Sequence, residues 1–269
     1  MFKKAKIGMV LSSILALTLV ISGCGTATTD NTESQNAQTV ELTVSAAASM
    51  TDALKEIQMA YETKYPNIKL NFNFGASGAL QQQIEQGAPA DLFLSAATKN
   101  MKALVDKQLI DANQQKNVLS NELVAVVSTD GQAVVEGFAD LSNSNVKNIA
   151  IGIPESVPAG GYAKEALTSV NLWDSLQSKM VQAKDVRQVL QYVETGNSDV
   201  GFVYRTDALT SDKVKIAFAV DPNTYTSVEY PIGIVKATKH SKEAEDFYTY
   251  LQTQEALDVF IKYGFSVLK

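Results

Sequence analysis

Two short turns in this chain combine a serine with small residues where a strand pattern passes into a helix pattern. The first reads Ala46-Ala47-Ala48-Ser49 and follows an alternating strand that starts at Val40. The second reads Gly75-Ala76-Ser77-Gly78 and follows the strand pattern 68–74. The first amides of a helix lack acceptors within the helix, and the helix dipole is positive at that end, so such turns bind anions. A single serine there is an ordinary N-cap. Two such turns, with a third further on, predict a receptor for a small oxyanion.

The third turn lies in segment 154–164, between an apolar strand and a helix. Pro158 presets the backbone, and small residues beside it keep side chains away from the first amides. The segment lacks the pattern G-x-x-x-x-G-K-[ST], so a nucleotide site is not favoured. We interpret the N–H of Ala159 as an anion donor and Lys164 as a solvated side chain.

Two more candidates follow along the chain. Asp185 is placed to cap a helix that begins at Val186. Arg187 is an alternative anion ligand, but a buried arginine is costly unless all its partners are in place, so we favour the N–H of Val186. Strand 200–204 ends in Tyr204. A tyrosine at a strand end usually serves packing, but its hydroxyl could donate a hydrogen bond into a cleft.

Polar residues also flank the predicted strand 91–96. Asp91 could bind a cation, but a short acid beside a turn more often bonds nearby amides and fixes that turn. Ser95 lies at the carboxyl end of the strand, where ligands collect in open α/β sheets, and is a secondary candidate. The motif turns offer hydroxyls and amides and no cluster of His, Cys and carboxylates, so we expect neither a bound metal cation nor a cofactor.

A hydrolase is the main alternative of another class. Ser77, Asp207 and His240 occur in the chain order of an α/β-hydrolase triad, and the segment 75–79 resembles half of the pattern G-x-S-x-G. The final glycine of that pattern is absent. His240 lies in a polar stretch typical of a solvated helix start. We therefore expect a binding protein and no enzymatic activity.

The N-terminus has the features of an export signal. A basic region at 3–6 precedes the apolar stretch 7–21, which is short for a membrane span. The tetrad Ile21-Ser22-Gly23-Cys24 resembles a lipoprotein lipobox, and Cys24 is the one cysteine of the chain. We predict a signal in 1–24, lipidation of Cys24, and a flexible polar tether in 25–39. The protein is then expected outside the cytoplasm, anchored to the membrane by lipid.

The charge balance limits the partners. The chain has 23 basic and 29 acidic residues and a net charge of −6. Nucleic acid is not an expected partner, because phosphate backbones are bound by clustered Lys and Arg. A negatively charged anion receptor must hold its ligand by local dipoles.

Strand and helix patterns alternate from Val40 onward, which indicates α/β architecture with mostly parallel sheets. The predicted strands are 40–46, 68–74, 91–96, 123–127, 148–153, 200–204, 214–219 and 228–235. The predicted helices are 50–65, 79–86, 99–107, 161–170, 186–195, 241–251 and 254–262. The segments 121–127 and 229–235 are interpreted as strands that cross between two lobes. Lobe I is then 40–122 plus 229–269, and lobe II is 123–228.

Several segments in order resemble one known family, the molybdate-binding proteins of ABC importers. These marks are Ala46–Ser49, Gly87–Phe93, Val157–Gly160 with Tyr162–Leu167, Glu229–Pro231 and Tyr263–Phe265. The resemblance covers nearly everything from Val44 to the C-terminus. It implies the two-lobed type II periplasmic-binding-protein fold with two crossing hinge strands.

In that family, neutral donors from both lobes hold a tetrahedral dianion. The resemblance implies these roles for Ser49 and Ser77 (hydroxyl and amide), Ala159 and Val186 (amide) and Tyr204 (hydroxyl). It also implies molybdate or tungstate as ligand, the permease of an ABC importer as partner, and a monomer. The second serine turn has fewer hydroxyls than in some relatives. Sulfate as cargo, or a lipid-anchored sensor, remain alternatives.

Overall fold

The computed structural model describes residues 39–268, which form two β-sheets covered by helices. The strands are β1 (Val40–Ala47), β2 (Ile68–Gly75), β3 (Leu92–Leu94), β4 (Ile110–Asn121), β5 (Leu123–Ser128), β6 (Ile149–Gly152), β7 (Met180–Ala183), β8 (Val200–Tyr204), β9 (Val214–Ala219), β10 (Val228–Val235) and β11 (Ser266–Val267). The α-helices are α1 (Thr51–Lys64), α2 (Ser77–Glu85), α3 (Thr98–Asp106), α4 (Pro158–Ser169), α5 (Val186–Glu194), α6 (Arg205–Ala208), α7 (Ser241–Tyr250) and α8 (Gln254–Lys262). Short 3-10 helices occupy Ala48–Met50, Phe138–Ser142, Gln177–Lys179 and Pro222–Thr224.

The first sheet has six strands in the order β11-β4-β10-β3-β1-β2. Strand β1 is parallel to β2 and β3, whereas β10 is antiparallel to β3 and β4. Helices α1, α2, α3, α7 and α8 pack with this sheet. We call the sheet and these helices the first half.

The second sheet has five strands in the order β7-β6-β8-β5-β9. Strand β6 is parallel to β7 and β8, and β5 is antiparallel to β8 and β9. Helices α4, α5 and α6 pack with it and complete the second half. The α/β class predicted from the alternating patterns is confirmed.

The central strands of both sheets are apolar over their whole length because helices or loops cover both faces. All residues of β3, β6 and β8 are buried. Leu92, Ile149 and Val200 illustrate this, since none of them has any exposed surface. These strands are therefore rigid supports for the loops at their carboxyl ends.

The chain passes between the sheets twice. The first passage is Glu122, between β4 in the first sheet and β5 in the second. The second is the segment 220–227, between β9 and β10. Both passages adjoin the segments predicted as crossing strands, but β5 and β10 each lie within a single sheet. The connections, and not the strands, cross.

Other differences from the predicted elements concern weak patterns. Helix α4 begins at Pro158, three residues earlier than predicted, so Ala159 belongs to its first turn. Strands β4, β7 and β11 and the short helix α6 were not predicted. The predicted signal 1–24 with Cys24, and the tether except Thr39, lie outside the described residues. Within 39–268, none of the helices is both long and apolar enough for a membrane span.

Candidate functional site

A small cavity lies between the two halves, at the carboxyl end of β1. Its walls come from the 3-10 helix Ala48–Met50, from the first turns of α2, α4 and α5, and from the end of β8. A water molecule's centre can occupy about 10 Å³ of it, so the cavity has room for one small guest. The lining residues are Ala47, Ala48, Ser49, Gly75, Ala76, Ser77, Ala96, Val157, Pro158, Ala159, Val186 and Tyr204.

The structure brings all the predicted ligand-binding residues to this one cavity. Ser49 and Ser77 come from the first half, and Ala159, Val186 and Tyr204 come from the second. All of them are buried. Residues up to 155 positions apart in the chain (Ser49 and Tyr204) therefore share a wall. Their role toward a ligand stays a prediction.

The two serine hydroxyls are already held by other groups of the protein. Ser77 is the first residue of α2, and its Oγ accepts a hydrogen bond from the backbone N–H of Ala96 at 2.9 Å. Ser49 Oγ lies 2.9 Å from the hydroxyl of Tyr230, on β10. Because Ser77 uses its oxygen as an acceptor, its proton is free for an acceptor in the cavity.

The hydroxyl of Tyr204 is the exception, because among residues 39–268 it has no hydrogen-bond partner. The residue is the last of β8 and is 1% exposed. Its ring packs edge-to-face against Tyr230, with centroids 5.9 Å apart. Burial, and then the nearby Tyr230, raise the pKa of Tyr204 well above its ordinary value, so the hydroxyl stays protonated. An unpaired buried donor costs about 1–3 kcal/mol, so this hydroxyl calls for an acceptor.

Three helix N-termini point their first turns at the same space. Ala159 is the second residue of α4, after a proline that has no N–H, and Val186 is the first residue of α5. Asp185 caps α5, since its side chain accepts from Gln188 N at 2.9 Å, as predicted from the sequence. First-turn amides have no acceptor in their own helix, and the dipoles add positive potential.

Glycine allows the first turn of α4 to sit against β6. A Cβ at Gly160 would lie 1.9 Å from the carbonyl oxygen of Gly152, the last residue of β6. Gly78 is similarly constrained, because its Cβ would lie 2.7 Å from the carbonyl oxygen of Ser156. Its N–H donates to that oxygen at 2.9 Å, which joins α2 of the first half to the loop before α4.

Arg187 lies beside the cavity but does not line it. Its Nε is 2.7 Å from Asp207 Oδ1, and its Nη2 is 2.7 Å from Asp52 Oδ2. Asp52 belongs to the first half, so the guanidinium ties the halves together. Two carboxylates neutralise this cation, which agrees with the choice of the Val186 amide over Arg187 as the anion contact.

Burial has the largest effect on the pKa of Asp207, which has no exposed surface. It raises the pKa of this carboxyl to about 6, against the opposing attraction of Arg187 and the N–H of Tyr204. The carboxyl remains paired with Arg187 at neutral pH. It therefore holds, from within the second half, the arginine that contacts Asp52 of the first half.

The other residues singled out from the sequence have contacts of their own. Asp91 accepts from Thr43 N at 2.7 Å and from the hydroxyl of Thr238, so it joins distant segments, where the sequence predicted bonds to nearby amides of its own turn. Ser95 Oγ donates to the carbonyl of Ala97 at 2.8 Å, and this serine does not line the cavity. Lys164 is exposed, with its ammonium 5.3 Å from the ring centroid of Trp173.

The hydrolase alternative finds no support in this arrangement. His240 precedes α7 and lines a separate cleft with Asp91 and Thr43, at the amino ends of β1 and β3. Ser77 lies at the carboxyl ends of the same strands, and Asp207 is paired with Arg187. The three residues of the alternative triad are thus divided among three places.

Sequence reasoning missed Tyr230 and Asn121, which connect to the site behind Ser49. Asn121 Nδ2 lies 3.2 Å from Tyr230 Oη. Tyr230 belongs to a segment that the sequence marked only as part of a family pattern. No local signal could assign it, because Tyr230 lies 181 residues after Ser49 in the chain and reaches it only through the folding of β10 into the first sheet.

Comparison with known proteins agrees with this geometry. The model of a family described as bacterial extracellular solute-binding protein matches residues 42–266. A Bacillus subtilis protein, described as a putative ABC transporter substrate-binding lipoprotein YvgL, is 50% identical, with 99% of each chain covered. The molybdate-binding protein ModA of Haemophilus influenzae is 39% identical, with 86% of this chain and 91% of ModA covered.

A solved structure is similar as well. It is the substrate-binding domain of a putative molybdenum ABC transporter from Clostridium difficile, with 44% identity and a TM-score of 0.66, and the match covers 86% of this chain and 100% of that domain. These relatives are solute-binding proteins and not enzymes. The chain described here belongs to the family of bacterial extracellular solute-binding proteins.

Proposed function

We propose that this protein captures molybdate, and also tungstate, in the cavity between its halves and delivers it to the permease of an ABC importer. The anion is held by the hydroxyls and amides of Ser49 and Ser77, the amides of Ala159 and Val186, and the hydroxyl of Tyr204. The molybdate-binding and molybdenum-transporter relatives support this choice of ligand. No metal cation or cofactor takes part, and the protein acts as a monomer.

The hydroxyl of Tyr204, which has no hydrogen-bond partner in the part of the chain that the structure describes, carries this proposal. It is a neutral donor, fully buried, at the wall of a cavity that also receives three helix N-termini. An anion would satisfy that hydroxyl and the first-turn amides at the same time. Ser77 supports the same conclusion, because the Ala96 N–H occupies its oxygen and leaves its proton to donate.

The magnitudes are sufficient for tight binding without a charged ligand residue. A hydrogen bond to a charged group contributes about 1.5–3 kcal/mol, so five to seven of them sum to about 7.5–21 kcal/mol. After the cost of association, a sub-micromolar Kd is within reach. Exclusion of water by the halves strengthens each bond by lowering the local dielectric.

Selectivity follows from the size and the polarity of the cavity. Donors fixed around a larger tetrahedral anion would stand too far from the oxygens of sulfate. Hydrogen phosphate carries a proton at neutral pH and needs an acceptor, which a set of donors does not provide.

The two halves act as lobes in this proposal, with lobe I comprising 40–122 plus 229–269 and lobe II comprising 123–228. The passages at Glu122 and 220–227 serve as the hinge on which they close over the anion. A lipid on Cys24 holds the protein at the outer side of the membrane, and the tether 25–39 lets it reach the permease.

Isothermal titration calorimetry tests the ligand assignment. We expect the purified chain to bind molybdate and tungstate with sub-micromolar Kd and to leave sulfate and phosphate unbound at the same concentrations. We expect Ser77→Ala to lower the affinity for molybdate at least about tenfold, because it removes a direct hydrogen-bond donor. Sulfate that competes equally with molybdate would contradict the assignment.

Cell fractionation tests the anchor. The unaltered chain is expected in the membrane fraction, and Cys24→Ala is expected to lose this attachment while it still binds molybdate. Membrane association that persists in Cys24→Ala would show that another segment provides the anchor.

A further inference from the structure

A series of hydrogen bonds connects Asn121, Tyr230 and Ser49. The orientation of the Asn121 side-chain amide determines which atom donates in each bond. The side-chain oxygen of Asn121 accepts from the N–H of Glu122 at 2.9 Å. Because a carbonyl oxygen must face that donor, the amide nitrogen faces the other way. It donates to the hydroxyl of Thr206 at 2.8 Å and to that of Tyr230 at 3.2 Å. Both amide protons of Asn121 thus have acceptors.

The direction continues through Tyr230. This residue has no exposed surface, and its Oη lies between Asn121 Nδ2 and Ser49 Oγ. Its oxygen accepts from Asn121, so the remaining position for its own proton is toward Ser49, at 2.9 Å. The reverse direction, from Ser49 to Tyr230, would leave the buried phenol proton without an acceptor. Burial raises the pKa of Tyr230 well above its ordinary value, so that proton is retained.

Ser49 is therefore the end of a directed series. Its oxygen accepts from Tyr230, and its single proton is left for the cavity that it lines. Ser77 is also left with its proton to donate, because its oxygen accepts a hydrogen bond from the N–H of Ala96. Both serines present a proton, and not a lone pair, to the guest.

We propose that Asn121 and Tyr230 are positioning residues that fix Ser49 as a hydrogen-bond donor and so make the cavity reject oxyanions that carry a proton. This inference rests on the proposed function of the cavity as an oxyanion site. Molybdate and sulfate have no proton at neutral pH, whereas hydrogen phosphate has one. We call the hydrogen bonds from Asn121 through Tyr230 to Ser49 the relay. Without the relay, the Ser49 hydroxyl can turn and offer a lone pair to the proton of hydrogen phosphate.

Two variants test the relay, one by interrupting it and the other by reversing it. Tyr230→Phe removes the donor to Ser49 and keeps the ring in place, without a change of charge. Asn121→Asp keeps the shape but puts an acceptor where the amide nitrogen was, which draws the Tyr230 proton away and reverses the series. Thr206→Val is the matched control, because it removes the second acceptor of Asn121 and leaves the relay to Ser49 intact.

The readout is the ratio of the affinities for molybdate and for inorganic phosphate, measured by calorimetry at about pH 8, where phosphate is mainly the singly protonated dianion, on variants whose melting shows a folded state. We expect the ratio to fall about tenfold in Tyr230→Phe and further in Asn121→Asp, and to stay unchanged in Thr206→Val. A negative charge near the cavity weakens both dianions alike, so charge alone leaves the ratio of Asn121→Asp unchanged.

An unchanged ratio in folded Tyr230→Phe and Asn121→Asp would overturn the relay. An equal fall in Thr206→Val would also overturn it, since packing around Asn121 would then explain the effect. Failure of the unaltered chain to bind molybdate would instead overturn the proposed function, and this outcome is separate because it appears before any variant is compared.

Discussion

At the scale of single residues, the candidate site consists of uncharged groups. Their neighbours determine which of these groups can donate a hydrogen bond into the cavity. Ser77 accepts from a backbone amide, and Ser49 contacts Tyr230. Tyr204 has no partner among residues 39–268. The nearest guanidinium, that of Arg187, is occupied by two carboxylates. Hydroxyls and amides are thus available to an anion, and the cation is not.

Replacement of Tyr204 by Phe should separate binding from stability. The empty protein is expected to be equally stable or more stable, because the variant removes an unpaired buried hydroxyl. Molybdate affinity is expected to fall about tenfold, since a donor to the anion is lost. Thermal melting without ligand and calorimetry with molybdate measure the two effects.

Tyr250→Phe is the control for that experiment. The hydroxyl of Tyr250 bonds Glu255 at 2.9 Å, in the first half and away from the cavity. We expect a loss of stability of about 0.5–1.5 kcal/mol and no change in molybdate affinity. A Tyr204→Phe variant that lost stability and kept its affinity would refute the proposed role of this hydroxyl.

The buried carboxyl of Asp207 gives a prediction for pH. Its pKa in the folded protein, about 6, lies above the ordinary 3.8, so between these values the folded state holds a proton that the unfolded chain has released. Its contribution to the free energy of unfolding is therefore present below about pH 4 and is lost as the pH rises toward 6. Urea unfolding across this range should show a decline that is absent in Asp207→Asn. An identical pH profile in that variant would contradict the prediction.

Four of the five predicted site residues could be selected from the sequence because their signals are local. Ser49, Ser77, Ala159 and Val186 all sit where a strand passes into a helix, and the amides there lack partners by geometry alone. Tyr204 needed the resemblance to a known family, since a tyrosine at a strand end usually serves packing. Asn121 could not be selected, because its role depends on Tyr230, which is distant in the chain.

At the scale of elements, the cavity exists because several helices begin at the carboxyl ends of neighbouring strands. Strand β1 leads to α1, β2 leads to α2, β6 leads to α4 and β7 leads to α5. Parallel strands place these ends at one edge of each sheet, and the two edges face each other. The positive ends of the helices therefore share one space.

The close seat of α4 on β6 can be tested with Gly160→Ala. Its Cβ would meet the Gly152 carbonyl at 1.9 Å, so the first turn must shift. We expect a loss of stability of about 1–3 kcal/mol and weaker molybdate binding, because the Ala159 amide moves. Gly137→Ala is the control, since no atom lies within 4 Å of its Cβ. Equal stability and affinity in both variants would contradict the role of this contact.

The ion pair between Arg187 and Asp52 joins elements of opposite halves. Asp52→Asn removes one partner and leaves the Asp207 pair, so the empty protein should keep its stability nearly unchanged. Because the pair is partly exposed, we expect only about a two- to fivefold loss of molybdate affinity, through a weaker closed form. Calorimetry on Asp52→Asn measures it, and an unchanged Kd would show that the pair does not assist closure.

Elements with strong patterns were predicted almost to the residue, and those with weak patterns were missed. Strands β8, β9 and β10 and helix α8 have the predicted bounds. Strand β4 was missed because its sequence is rich in Gln, Asn and Lys, with most of its side chains outside the core. Pairing with β10 on one side and β11 on the other makes it a strand, and such pairing has no local signal.

At the scale of the whole molecule, the net charge of −6 opposes the approach of a dianion. Under the proposed function, capture depends on short-range dipoles in a cavity closed by both halves, and long-range attraction contributes nothing favourable. The chain belongs to the family of bacterial extracellular solute-binding proteins.

This charge balance predicts an unusual response to salt. Screening weakens the repulsion between protein and dianion, so molybdate affinity should stay constant within about twofold, or rise, between low and physiological ionic strength. A site built on lysine or arginine would lose affinity instead. Calorimetry at two NaCl concentrations distinguishes these outcomes, and a tenfold loss would contradict binding by neutral groups.

A crystal structure of the molybdate complex tests the central claim most directly. We predict one anion in the cavity, with its oxygens within hydrogen-bond distance of the hydroxyls of Ser49, Ser77 and Tyr204 and of the amides of Ala159 and Val186. The guanidinium of Arg187 should remain on Asp52 and Asp207. Direct coordination of the anion by an arginine, a lysine or a metal ion would contradict the claim that uncharged dipoles suffice.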